Sequence, residues 1–498
     1  MIFRKRGQPP PQPSARGLRN LQLGKLIDMK DALYGRQYYD PEKCPEGLID
    51  ISGSSNERTR DYLAEYCTRV SGKVDLARAL EYGAVAGPNE LNVVMSNFFN
   101  ARFNPASPVR PSEILATNGV SSLIDVAAYN MCDEGEGILV ITPTYAMFEL
   151  DLCARARITI VPVDGDSIPD QFSAEHSVRL ADLLEEGRQR ALREGIKVKA
   201  LIISNPCNPV GRFYSRETLV EMIRLCCRHG IHLISDEIYA LSGFESPETQ
   251  KLPGFTSVLS IASDPNTGIF NQNVHVLYGA SKDWAMGGLR LGFLVTRNAG
   301  IWKTCRRLAL FTWVTPFSTQ FFIDFMSDTD NVARYVKCNQ DRLKERYIVT
   351  TSAMKDYGIP YTTANGGLFI WIDLSKWLVY FKASPTLGTQ ALQLCKHLIN
   401  NGVYMSMGEL SMSSRPGLYR FVYTSPNNES VIAVKRLGTA CARLETNCEA
   451  FKNASSINSS LSSIGEMKDR ILLETERDKK DIFRGIRKLS RKFNCLTD

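Results

Sequence analysis

The chain has 498 residues, more than one core usually sustains, so two domains are expected. Its composition, 44% hydrophobic and 23% charged, is that of an ordinary globular protein, and no apolar run approaches the ~20 residues of a membrane span. The net charge of +7 is concentrated between Arg477 and Lys492, with eight basic and two acidic residues, and the nearly neutral remainder argues against a nucleic-acid groove.

Residues 1–27 carry six basic side chains and no acid, but Pro9 to Pro11 and Pro13 break an amphipathic helix. A flexible N-terminal arm is expected there. Residues 28–70 should begin a smaller domain, and 71–340 should form a larger one. Within the larger one, Thr117-Asn-Gly119-Val120-Ser121 opens a helical pattern, so the N–H groups of Val120 and Ser121 and the Ser121 hydroxyl could hold an anion. Apolar runs at 137–142, 198–204, 231–235 and 274–278 have strand length, with helical patterns such as Arg216 to His229 between them. This alternation implies an α/β fold with a mostly parallel sheet covered by helices.

Polar residues stand just past the strand-like runs. Tyr145 follows the first, in Pro143-Thr-Tyr145, and Asn208 the second, in Asn205-Pro-Cys-Asn208-Pro-Val-Gly211. Asp236 and Tyr239 follow the third, and Lys282 the fourth, with Arg290 eight residues on. Ligands of open α/β sheets bind at that edge. Residues 341–446 should form a small α+β domain, with strand-like runs at 367–373 and 419–423. Arg420 lies inside the second run, where a guanidinium is costly without an anionic partner and suits bidentate capture of a carboxylate. Residues 447–463, rich in Ser and Asn, have the composition of a linker. Residues 464–498 should form a basic amphipathic helical tail, with Ile482, Ile486, Leu489 and Phe493 on one stripe. Thirteen cysteines without a CxxC pair suggest free thiols and a cytoplasmic setting, and five histidines lack metal-ligand spacing.

Asparagine, aspartate, tyrosine, lysine and arginine in this order are the parts needed to hold pyridoxal 5′-phosphate (PLP). Burial lowers a lysine's pKa, so Lys282 could attack an aldehyde as the neutral amine and later move a Cα proton. Asp236 could partner the pyridine nitrogen. Tyr239 and Asn208 could reach the cofactor's O3′, and Tyr145 could lie on its ring. Arg290 would add a charge-assisted contact to the phosphate.

These segments, with Ser281-Lys-Asp-Trp-Ala-Met-Gly-Gly-Leu-Arg-Leu-Gly292 and Arg415-Pro-Gly-Leu-Tyr-Arg420, resemble the class I/II aminotransferases of PLP fold type I. Within them the chain is similar to the 1-aminocyclopropane-1-carboxylate (ACC) synthase-like branch. The resemblance covers roughly Asp40 to Leu444. It implies a large domain with a mostly parallel seven-stranded sheet and a smaller α+β domain. It implies Lys282 as Schiff-base lysine, with Asp236 and Tyr239 completing the catalytic set. It places Asn208 at O3′ with Tyr239, Tyr145 on the ring, Gly119, Val120, Ser121 and Arg290 around the phosphate, and Arg420 at the substrate carboxylate. Tyr82, in Tyr82-Gly-Ala-Val-Ala-Gly-Pro-Asn-Glu-Leu91, matches a tyrosine that reaches the neighbouring subunit's phosphate, which implies a homodimer with shared active sites.

Three departures stand out. Gly279 replaces a serine that helps hold the phosphate, a loss of about 1 kcal/mol if one hydroxyl contact disappears. Ser54-Ser55-Asn56 replaces Ala-Glu-Asn, and Glu149-Leu150 stands where ACC synthases are basic. The last two speak against S-adenosylmethionine as substrate. The expected activity is transamination of an α-amino acid, in a specialised biosynthetic pathway. An ACC synthase-like or carbon–sulfur lyase would use the same lysine and cofactor. A non-catalytic regulator, with the basic tail as its interaction arm, is the alternative from another class.

Overall fold

The computed structural model describes residues 12–457 apart from 71 and 73, with the backbone alone from 447 onward. The described residues up to Ala440 form one compact unit, and Cys441 opens a second. Thirteen strands occur among the described residues, in chain order β1 (Ile49–Asp50), β2 (Ile114–Thr117), β3 (Gly137–Thr142), β4 (Thr159–Asp164), β5 (Val198–Ser204), β6 (His232–Asp236), β7 (Val274–Gly279), β8 (Gly292–Thr296), β9 (Tyr361–Thr362), β10 (Phe369–Asp373), β11 (Val403–Tyr404), β12 (Ser406–Met407) and β13 (Leu418–Val422).

The main sheet has seven strands in the order β2-β8-β7-β6-β5-β3-β4. The pairs from β7 to β4 are parallel, and β8 alone runs against both of its neighbours. Strands β3 and β7 are buried along their whole length, which explains their near-continuous apolar sequences. Between β5 and β6 runs the helix Arg216–His229, as expected from its periodicity. Ser215 caps its first turn by accepting from Thr218 N–H, and Gly230 ends it in the left-handed conformation at φ 61°. The strand order reverses between β3 and β5, the place where such sheets open a crevice at their carboxyl ends.

A second sheet, β12-β13-β10-β9, is antiparallel. In it Arg420 pairs with Trp371 on one side and Ser406 on the other. Strand β1 joins β11 in parallel, tying the segment before Ser52 to the same region. The fold is therefore the α/β, fold type I arrangement expected, with its mostly parallel seven-stranded sheet.

Both ends differ from expectation. The proposed N-terminal arm contains helices at Ala15–Asn20, capped by Ser14, and at Lys25–Asp31. The prolines that break a helix all precede Ser14 and leave the following residues free to coil. At the other end, the helix Glu429–Ile457 runs into the proposed linker, so Asn447 to Ile457 is helical in its backbone. Asn and Ser lower helix propensity by only tenths of a kcal/mol per residue, about 0.5 against alanine, and do not stop a long helix. Residues 458–463 of that linker, and the basic tail, lie outside the described residues.

Candidate active site

A cavity of about 590 Å³ opens at the carboxyl edge of the main sheet. Tyr145, Asn208, Asp236, Tyr239, Lys282, Arg290, Arg420, Val120 and Ser121 all line it. Asn208, Asp236 and Lys282 arrive there at or just past the ends of apolar strands of the main sheet, Val120 and Ser121 from a helix N-terminus, and Arg420 from within β13.

Asp236 is the last residue of β6 and only 6% exposed. Its carboxylate accepts one backbone N–H, from Ile238 at 3.2 Å. Burial pushes its pKa up to about 7, against the opposing pull of that N–H and of Lys282. Lys282 follows β7, and its Nζ donates to the Ser54 carbonyl at 2.7 Å. Burial, then the Arg420 charge, lowers the lysine pKa to about 8. Tyr239 sits beside it, 5.9 Å from Nζ to ring centre. Burial raises the phenol well above its ordinary value, so it stays a proton donor.

Arg420 is 5% exposed. Its Nη1 donates to Asn208 Oδ1 at 2.9 Å and its Nη2 to the Ser52 carbonyl at 2.6 Å. Its Nε is buried without a partner, and the guanidinium lies 5.5 Å over the Phe369 ring. A full charge is thus held by neutral acceptors with the Nε nitrogen left unpartnered. Because Asn208 accepts through Oδ1, its amide N–H groups remain available to the cavity.

The anion cradle is built from glycines. Gly119, at φ 119°, precedes the helix Val120–Met131, and a Cβ there would overlap the Arg290 guanidinium. A Cβ on Gly292 would lie 2.5 Å from the Gly119 carbonyl carbon. Gly279 belongs to the same nest: a Cβ there would sit 2.8 Å from the Leu291 carbonyl oxygen and 2.9 Å from a Val120 methyl. The backbones approach too closely for any side chain. A serine at 279 would therefore need the Val120 methyl or the Leu291 backbone to shift before its hydroxyl could reach the cradle.

The arrangement fits PLP. A protonated pyridine nitrogen is the cation that buried Asp236 lacks. The bare Gly119 beneath Arg290, with the helix N-terminus behind it, forms a phosphate cradle. Tyr82 is the exception among the expected residues. It is 85% exposed, does not line this cavity, and stacks on Trp313 at 5.6 Å between ring centres.

Several lining residues were not expected. Ser52 and Ser54 act through backbone carbonyls, which carry no sequence signal. Leu26 and Lys30 reach the cavity from the helix Lys25–Asp31. Asp151, which does not itself line the cavity, is reached by the Ser121 hydroxyl and has its pKa raised by burial to about 7.

Comparisons with known proteins agree with the geometry. The model of the family "Aminotransferase class I and II" matches residues 72–437. The human 1-aminocyclopropane-1-carboxylate synthase-like protein 1 is 30% identical, over 81% of this chain and 78% of its own length. The 1-aminocyclopropane-1-carboxylate synthase 7 of Arabidopsis thaliana is 27% identical, over 81% of this chain and 89% of that protein. Among solved structures, the aspartate aminotransferase from Thermus thermophilus with maleate superposes with a TM-score of 0.63 at 19% identity, covering 86% of this chain and 97% of that one. That likeness concerns the fold alone.

Proposed function

Because the chain belongs to the class I and II aminotransferase family, in its ACC synthase-like branch, and so uses PLP, we propose that it transaminates an α-amino acid. The observation that carries this reading is the convergence of Lys282, Asp236 and Arg420 on one cavity, each buried or partly buried with an incomplete set of partners. When bound, PLP supplies an electron sink for the pair left at the substrate's Cα. Arg420 holds the α-carboxylate through its two terminal nitrogens. Lys282, with its lowered pKa, takes the Cα proton as a neutral amine and can return it elsewhere. Asp236 keeps a proton at the pyridine nitrogen. Tyr239 and Asn208 donate to O3′, and Tyr145 bears on the ring. Gly119, Val120, Ser121 and Arg290 hold the phosphate.

Tyr82 fits a homodimer in this reading. It stands in an exposed apolar stretch with Leu80, and its stacking partner Trp313 follows exposed Phe311. A second copy covering that surface would take the phenol to its own phosphate. The free thiols among the described residues support a cytoplasmic setting, and Ser54-Ser55 supports a specialised substrate. A lyase is the second reading, favoured by the relatives' names as ACC synthases and ACC synthase-like proteins.

The test is the absorbance of the purified, PLP-loaded protein as amino acids are added without a keto acid. Stoichiometric conversion to the pyridoxamine form supports transamination and names the donor. Catalytic release of keto acid or ammonia, with the original band persisting, replaces it with a lyase. A protein that acquires no visible band with PLP is the non-catalytic regulator.

A further inference from the structure

We infer that Lys30 recognises the substrate's side chain, and that the amino acid taken carries a second carboxylate. The inference rests on the PLP reading above and narrows it to a substrate class. Three cations converge on three consecutive residues. Arg420 donates to the Ser52 carbonyl, Lys282 donates to the Ser54 carbonyl, and Lys30 Nζ lies 3.7 Å from where a Cβ on Gly53 would stand. Two residues of chain span at most about 7 Å, so the three charged heads surround one short stretch. An acidic α-amino acid presents its amine, α-carboxylate and distal carboxylate over a similar length. Lys282, in its neutral form, marks the point the amine must reach, Arg420 takes the α-carboxylate, and Lys30 takes the distal one.

The local sequence builds this placement. In the helix Lys25–Asp31, Leu26 and Lys30 are four residues apart on one face, and both line the cavity. Gly24 starts the helix at φ 73° and packs close to Leu150, where a Cβ would stand 3.5 Å from a leucine methyl. The bare Gly53 leaves the ammonium open to a ligand.

Lys30 is loosely committed elsewhere. Its nearest carboxylate oxygen is Asp50 Oδ2 at 4.0 Å. The other Asp50 oxygen already accepts the Ser52 N–H at 2.9 Å and the Ser52 hydroxyl at 2.6 Å. Of the other cations lining the cavity, Arg60 is paired with Glu57 and Arg290 stands at the phosphate cradle. The cavity therefore offers one more positive charge than the α-carboxylate needs. A cationic side chain would be rejected by the same group.

The test uses the PLP-loaded enzyme and compares kcat/KM for glutamate with glutamine, and for aspartate with asparagine. Wild type is expected to favour the acids. That ratio should fall roughly tenfold in Lys30→Ala, further in Lys30→Glu, and recover in Lys30→Arg. Binding of succinate relative to butyrate, read from the cofactor's visible absorbance, should fall in parallel. The Lys30 side chain is 44% exposed, so the variants are expected to fold, with unchanged unfolding temperatures. An acid-to-amide ratio that stays within twofold in Lys30→Glu overturns the inference and leaves the PLP reading standing. So does a wild type that turns over amino acids with no preference for acids. A wild type that takes up PLP but acts on no amino acid, or takes up none, overturns both.

Discussion

The two ends of the same strands bury titratable groups in opposite ways. At their amino ends, β6 and β7 carry His232 and His275 beside Thr296 of β8. The Thr296 Oγ1 accepts the Asn298 N–H at 3.1 Å and shares a hydrogen bond with His275 Nδ1 at 2.7 Å. His275 Nε2 in turn shares a hydrogen bond with His232 Nδ1 at 2.9 Å. Burial drives the His275 pKa down to about 3, so this chain stays neutral and closed. At the carboxyl ends, Asp236 has one donor and Arg420 has an unpartnered Nε. Buried groups with complete partners specify structure, and those with incomplete ones await a ligand.

The sharpest way to break this contrast is Lys282→Ala. It should reduce turnover by at least about 1000-fold, and the visible band of the bound cofactor should disappear with it. A variant that keeps multiple turnovers would remove Lys282 from the chemistry.

Asp236→Asn should lower kcat by at least about 100-fold, while stabilising the cofactor-free protein. The sign follows from the raised pKa. Between the unfolded value near 4 and the folded value of about 7, the folded state holds a proton that the unfolded state has lost, so the cost grows across that window and levels off above it. Removing the charge should therefore add about 1 kcal/mol to apoprotein stability at pH 8 and almost nothing near pH 4. Urea unfolding at the two pH values checks this, and equal effects at both would show that Asp236 has partners not seen here.

Arg420→Ala should raise KM for amino acids about 100-fold, the loss expected when one partner of a desolvated charge pair is truncated. PLP affinity, measured by titration, should change much less. An unchanged KM would move the carboxylate site elsewhere.

At the closed end, His275→Ala should cost about 2–3 kcal/mol in stability by orphaning His232 and Thr296. Here kcat should stay within about twofold. A large fall in kcat at unchanged stability would make the histidine chain functional. The smallest effect expected is from Gly279→Ser. It should destabilise by about 1–3 kcal/mol through overpacking and weaken PLP binding, where a simple missing hydroxyl predicts tighter binding.

The chemistry was legible because each reactive side chain follows an apolar run whose only stable place is a buried strand. Tyr145, Asn208, Asp236 and Lys282 could be ranked by position before any contact was known. Arg420 was legible for a related reason, a charge inside an apolar strand. Lys30 was not, because its role depends on a short helix docking over a distant turn, and nothing in its own neighbourhood marks it. Ser52 and Ser54 contribute carbonyls that every residue possesses. Gly279 was legible only as a missing hydroxyl, because the close approach of three segments around it cannot be read from one segment. The helices near both ends were missed because composition suggested flexibility where propensity still permits coiling.

The segment 52–54 gives ligand binding the character of an exchange. A group that engages Arg420 Nη2 or Lys282 Nζ competes with a backbone carbonyl already there, at Ser52 or at Ser54. Affinity then reflects the difference between two sets of partners, not the full strength of the new one. The displaced peptide groups need new donors or water, so occupancy of the cavity is mechanically tied to the strand β1 that leads into them. The resting protein carries its own stand-in for the substrate.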